Sequence, residues 1–97
     1  MSYQVLCMFD LKNASSKDYE NAYADLQKIG LKKVIASTNG EYVIPTTSAL
    51  GDFNGSSAAS VRDDLRARVK AAFAARRFKS EIFVAVGSDG TWGSAVT

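Results

Sequence analysis

The chain has no histidine among its 97 residues, a single cysteine, Cys7, and a single proline, Pro45. Without histidine there is no Ser-His-Asp triad, no Cys-His nucleophile pair and no imidazole-ligated zinc. One cysteine excludes an intrachain disulfide and a thiolate zinc cage. A metal held by this chain would be bound through oxygen, which is the chemistry of Mg, Mn or Ca. The first apolar run, Val5 to Phe9, falls far short of the ~20 residues of a membrane span. Charge of one sign is also scarce: 12 basic against 10 acidic residues leave +2, too little to imply nucleic acid by itself. No basic segment followed by an apolar stretch and a small-residue cleavage site opens the chain, so the expected location is cytoplasmic.

What is present describes an ordinary globular chain, 46% hydrophobic and 23% charged. A single domain over residues 1–97 is expected. Such a chain buries roughly 60–65% of its unfolded surface, which suits two layers better than three. Tyr3 to Leu11 reads as a strand, apolar enough to be buried on both faces, with Cys7 a small core residue. Ser15 and Ser16 are good helix caps. Tyr19, Ala22, Tyr23, Leu26 and Ile29 share one face of a helix over 17–29, which Gly30 stops. Residues 32–37 read as a second strand, Asn39-Gly40 as a hairpin turn, and Tyr42 to Ile44 as a third strand that Pro45 ends. Residues 46–56 read as a loop long for so small a domain, either a connector pinned by Leu50 and Phe53 or a lid that those two residues fold over the core. Ala58, Val61, Leu65, Val69, Ala72 and Phe73 form the apolar stripe of a second helix over about 57–78. A fourth strand covers 81–86, and Thr91-Trp92 starts a short fifth. The order predicts an α+β fold, the ferredoxin-like βαββαβ sandwich, with both helices on one face of an antiparallel sheet. The other face keeps apolar residues and so calls for a partner, most simply a second copy of the chain.

Chemistry concentrates at two places. Asp10 ends the apolar first strand, where a carboxylate is either a local acceptor for backbone N–H groups or a placed functional group. Arg62, Arg66, Lys70 and Arg77 recur at helical spacing, either as a solvated face partly neutralised by Asp63 and Asp64 or as a row for phosphates. Tyr3, Tyr42 and Trp92 are weaker candidates for stacking bases.

The triplet Phe9-Asp10-Leu11 at a strand end resembles the opening of the small CRISPR spacer-acquisition endonucleases and of the virulence-associated protein D ribonucleases. The hairpin over 37–44 and the strand-turn-Trp of Phe83 to Trp92 are similar to small members of the same Cas-like superfamily. The resemblance covers about residues 3–45 and 81–92, at the level of pattern. It implies a homodimer joined sheet to sheet, in which Asp10 of each protomer binds one shared divalent metal, Mg or Mn. That metal would activate water against an RNA or DNA phosphodiester. The chain departs from the pattern where Lys12-Asn13-Ala14 follows Asp10 in place of further acidic groups, and in the long 46–56 segment. The alternative expectation is a non-catalytic dimeric module that binds nucleic acid or a protein partner.

Overall fold

A computed structural model describes residues 1–37, 40–43 and 47–88, without the side chains of 35–37 and 41–43. The elements run β1 (Ser2–Leu11), α1 (Ser16–Ile29), β2 (Val34–Ser37), β3 (Gly40–Val43), β4 (Ser48–Asn54), α2 (Ala58–Ala75) and β5 (Ser80–Gly87). The fold is α+β. β1 is the centre of a three-stranded antiparallel sheet in the order β4-β1-β5, and β2 and β3 form a separate hairpin.

β1 alternates. Tyr3, Val5, Cys7, Phe9 and Leu11 are buried, while Met8 is 45% exposed and Asp10 is exposed. The expectation of a strand buried on both faces is therefore corrected. The odd-numbered residues join one core with Ala22 and Leu26 of α1 and with Val61, Leu65, Val69 and Phe73 of α2. Both helices cover that face alone, so the even-numbered face of β1 stays open. Burial pushes the Cys7 thiol up to about 11, as befits a core thiol without thiolate character.

Both helix starts are fixed by capping boxes, Ser15 with Asp18 and Ser57 with Ser60, in which each side chain bonds the other's backbone N–H. α1 ends at Gly30, whose φ of 109° suits glycine. α2 ends at Ala75, short of the expected residue 78. Arg77 adopts φ 62°, its N–H bonds the Ala74 carbonyl at 2.9 Å, and Phe78 N–H bonds the Phe73 carbonyl at 3.0 Å. This is a Schellman stop, closed by the Phe78 ring against Phe73 at 5.9 Å. The helices are tied by Arg76, which binds both carboxylate oxygens of Asp25, Nη2 to Oδ1 at 3.0 Å.

The largest correction concerns residues 46–56. They contain β4, and are neither a connecting loop nor a lid. β4 takes the place beside β1 that was expected of 42–44, pairing from Ser2–Asn54 to Met8–Ser48. Leu50 and Phe53 lie on opposite faces of it, and Phe53 packs on the core. The expected strand over 32–37 touches this sheet through a single bridge, Lys32 with Leu50, before the chain leaves as the β2–β3 hairpin. That hairpin closes at Ser37–Gly40, one residue earlier than an Asn39-Gly40 turn would give. Its turn residues, Ile44, Pro45 and the expected strand at 91–92 lie outside the described residues. No helix among the described residues is long and apolar enough to cross a membrane.

Two predictions arise here. Gly51 sits where β4 passes the end of α1, and an added β-carbon would collide with the Gly30 carbonyl oxygen. Gly51→Ala is expected to destabilise the protein by about 1–3 kcal/mol through overpacking against immovable backbone, measured by urea unfolding. The second concerns acid. The Arg76 guanidinium hydrogen-bonds Asp25 and holds its carboxyl below the usual carboxylate range. A depressed folded value gives stability that is present above the ordinary Asp value of about 3.9 and lost as pH falls through the lower folded value. Asp25→Asn should therefore unfold at lower urea than the native chain at pH 7. The gap between the two should close as pH falls below about 3.9.

Candidate functional site

Asp10 is the last even-numbered residue of β1, so the same alternation that buries Phe9 and Leu11 turns its carboxylate to the helix-free face. Register then decides its neighbours. Asp10 stands opposite Glu81 on β5, Met8 opposite Phe83, and Leu6 between Leu50 and Ala85. The result is an apolar stripe of Leu6, Met8 and Phe83, with Phe83 62% exposed, that runs into two carboxylates. A shallow depression of about 520 Å³ lies at that end, lined by Met8, Asp10, Thr47, Glu81 and Phe83 among others.

Like charges facing each other across a strand pair repel. Lys12 relieves the repulsion, with Nζ 2.9 Å from Glu81 and 3.8 Å from Asp10. The hydrogen bond to Glu81, with a lesser part from Asp10, pushes the Lys12 ammonium above its ordinary value. From the helix side, Tyr19 reaches over the strand end. Its hydroxyl lies 3.3 Å from Asp10 Oδ1 and 3.3 Å from the Leu11 carbonyl, and it accepts the Leu11 N–H at 3.2 Å. Asp10 is thus oriented by a phenol on one oxygen and faces an ammonium on the other.

Among the described residues, no group of three or more His, Cys, Asp or Glu side chains is placed to hold a metal. Asp10 and Glu81 are hard oxygen donors of the kind Mg and Mn prefer. One chain brings two carboxylates, and Lys12 already bridges them. The donor set therefore fits such a cation only if a second copy adds its own carboxylates.

The basic row is partly dissolved. Arg62 and Arg66 both bind Asp63, at 2.9 and 3.1 Å, and the Arg62 hydrogen bond holds the Asp63 carboxyl below its usual range. Arg68 pairs with Asp64 at 3.7 Å. Lys70 is exposed on α2. Arg77 does not belong to the row, because it occupies the left-handed position after the helix has ended. Tyr3 is 6% exposed and its hydroxyl donates to Met1 Sδ, so it is a core residue and not a platform for bases. The Tyr42 side chain and Trp92 lie outside the described residues.

Sequence reasoning missed Glu81, Lys12 and Tyr19. Tyr19 was placed on the buried stripe of α1, where its ring is, but its hydroxyl contact depends on the helix–strand angle. Glu81 becomes a neighbour of Asp10 only through the β1–β5 register, and so supplies the second acidic group that the residues following Asp10 do not. No family model matches the chain, and no curated protein matches it either.

Proposed function

We propose that the protein is a homodimeric, metal-dependent endonuclease of the Cas-like kind, in which the open sheet faces of two copies meet and their Asp10 carboxylates hold one Mg or Mn ion. The observation that carries this reading is the position of Asp10. It lies on the helix-free face of the central strand, at the end of an apolar stripe, beside a second carboxylate. Two such ends brought together would be strongly repulsive without a cation. When bound, the metal would polarise a phosphodiester and generate hydroxide from water. Asp10 would hold the ion and Tyr19 would fix the carboxylate's orientation. On this reading the sheet is ferredoxin-like, with its second edge strand reduced to the Lys32 bridge and the β2–β3 hairpin an outgrowth of it. The proposed location is cytoplasmic.

Asp10→Ala should abolish Mn-dependent cleavage of RNA or DNA. The loss should be at least about 100-fold, because even the outer partners of metal ligands are worth 10–100-fold. Gel assays of purified protein with Mg and Mn check this. Cleavage unchanged by the substitution, or none by the native chain, sinks the catalytic reading.

A second reading is a non-catalytic dimeric module that binds nucleic acid or a protein partner. It is favoured by Lys12, which already bridges the Asp10–Glu81 pair and offsets one of its two charges. Here Arg62, Arg66 and Lys70 would contact phosphates, and removing them should weaken DNA binding and flatten its salt dependence.

A further inference from the structure

We infer that the cleft between α1 and the Lys32-Lys33 pair is a nucleotide subsite, which takes one base and its phosphate from a single-stranded nucleic acid. The inference rests on the phosphodiester reading of Asp10. Two adjoining depressions, of about 380 and 550 Å³, share Glu20, Tyr23 and Lys33. Tyr19 lines the first, and Gln27 and Lys32 line the second. Each falls in the size range of small-molecule sites.

The cleft has a rigid aromatic wall. Tyr19 and Tyr23 stand one turn apart on α1, half-buried, and both pack against Phe9, at 6.1 and 5.4 Å between ring centroids. Their hydroxyls are pinned, Tyr19 at Leu11 and Asp10, and Tyr23 as acceptor of the Thr47 N–H. Such a wall stacks any base with little ordering of its own. The opposite side is cationic. Lys33 Nζ lies 4.5 Å from the Tyr23 ring centroid. Among the described residues, neither Lys32 nor Lys33 is in an ion pair. These ammoniums suit a phosphate beside a stacked base: Lys33, which covers the Tyr23 ring when the cleft is empty, would swing from the ring to the phosphate as the base stacks. Glu20, held by Lys17 at 3.5 Å, and Gln27 offer polar groups to a base edge. Tyr19 connects the two places, with its ring in the cleft and its hydroxyl on Asp10. A nucleotide in the cleft would present its neighbouring phosphodiester to that carboxylate.

The test is an NMR titration of the native chain at low salt with a short uridylate oligomer, with uridine monophosphate and an RNA duplex run in parallel. The oligomer should shift the Tyr19, Tyr23 and Lys33 signals. Tyr23→Leu should weaken its binding by about 5- to 150-fold, the range for loss of one stacked base. Lys33→Glu, at a solvent-reachable position where folding is not at risk, should also weaken binding and lower the salt slope by about one or more. The subsite is refuted if those signals do not move, if Lys33→Glu leaves the affinity unchanged, or if the mononucleotide or the duplex binds there and the oligomer does not. Oligomer binding intact in a protein that cleaves nothing would retain the subsite and discard the endonuclease.

Discussion

Phe83→Asp is expected to break the proposed sheet-to-sheet dimer into monomers. Phe83 projects from β5 on the helix-free face, 62% exposed, opposite Met8 on β1. Among the described residues no helix lies on that face, so the substitution should leave the fold intact. In a two-fold interface the residue counts twice, once from each copy. Burying a phenylalanine side chain is worth roughly 1.5–3 kcal/mol, so two give about 3–6 kcal/mol, a rise in dissociation constant of roughly two to four orders of magnitude. The substituted carboxylates would face Asp10 and Glu81 and add repulsion. Sedimentation of the variant over a concentration series checks the shift, and unchanged far-UV circular dichroism shows that the chain still folds. A variant that associates as tightly as the native protein would remove this face from the interface.

Phe73→Ala is the substitution expected to damage the fold most. Phe73 is 1% exposed and, among the described residues, is the largest fully buried side chain. Its ring meets Phe9 edge-on at 5.3 Å and Phe78 at 5.9 Å. It therefore links α2 to the central strand and also provides the apolar contact of the helix stop. Truncation removes transfer free energy and leaves a cavity among rings that cannot collapse freely, at about 3–5 kcal/mol. For a domain of this size each kcal/mol is worth about 4–8 °C in Tm, and total stability is only about 5–15 kcal/mol. Thermal unfolding should fall by more than 10 °C at the least, on the same scaling. A fall of only a few degrees would show that the aromatic cluster repacks.

The two helices were legible because each carries an apolar stripe at helical spacing, to which α1 adds a serine cap and a glycine stop. Ser15, the stripe through Leu26 and Gly30 agree on α1, and Val61, Leu65 and Val69 agree on α2. The end of α2 was missed because Arg77 fills a left-handed position that normally signals itself by glycine. β4 was illegible for a related reason. Its Ser48, Gly51, Asp52 and Asn54 are turn residues by local preference, and strand pairing with β1 overrides them. Gly51 reads as a breaker in sequence but is a close approach between β4 and the end of α1. Asp10 could be singled out because it ends an apolar run. Its partners could not, since Glu81 is 71 positions away and joins it only through register.

The account depends most on the claim that the bare face of the sheet binds a second copy and so brings two Asp10 side chains together. The light-scattering mass of the native chain at micromolar concentrations tests it most directly. The account predicts twice the 10.4 kDa of one chain, and a mass that stays at a single chain throughout that range would contradict it.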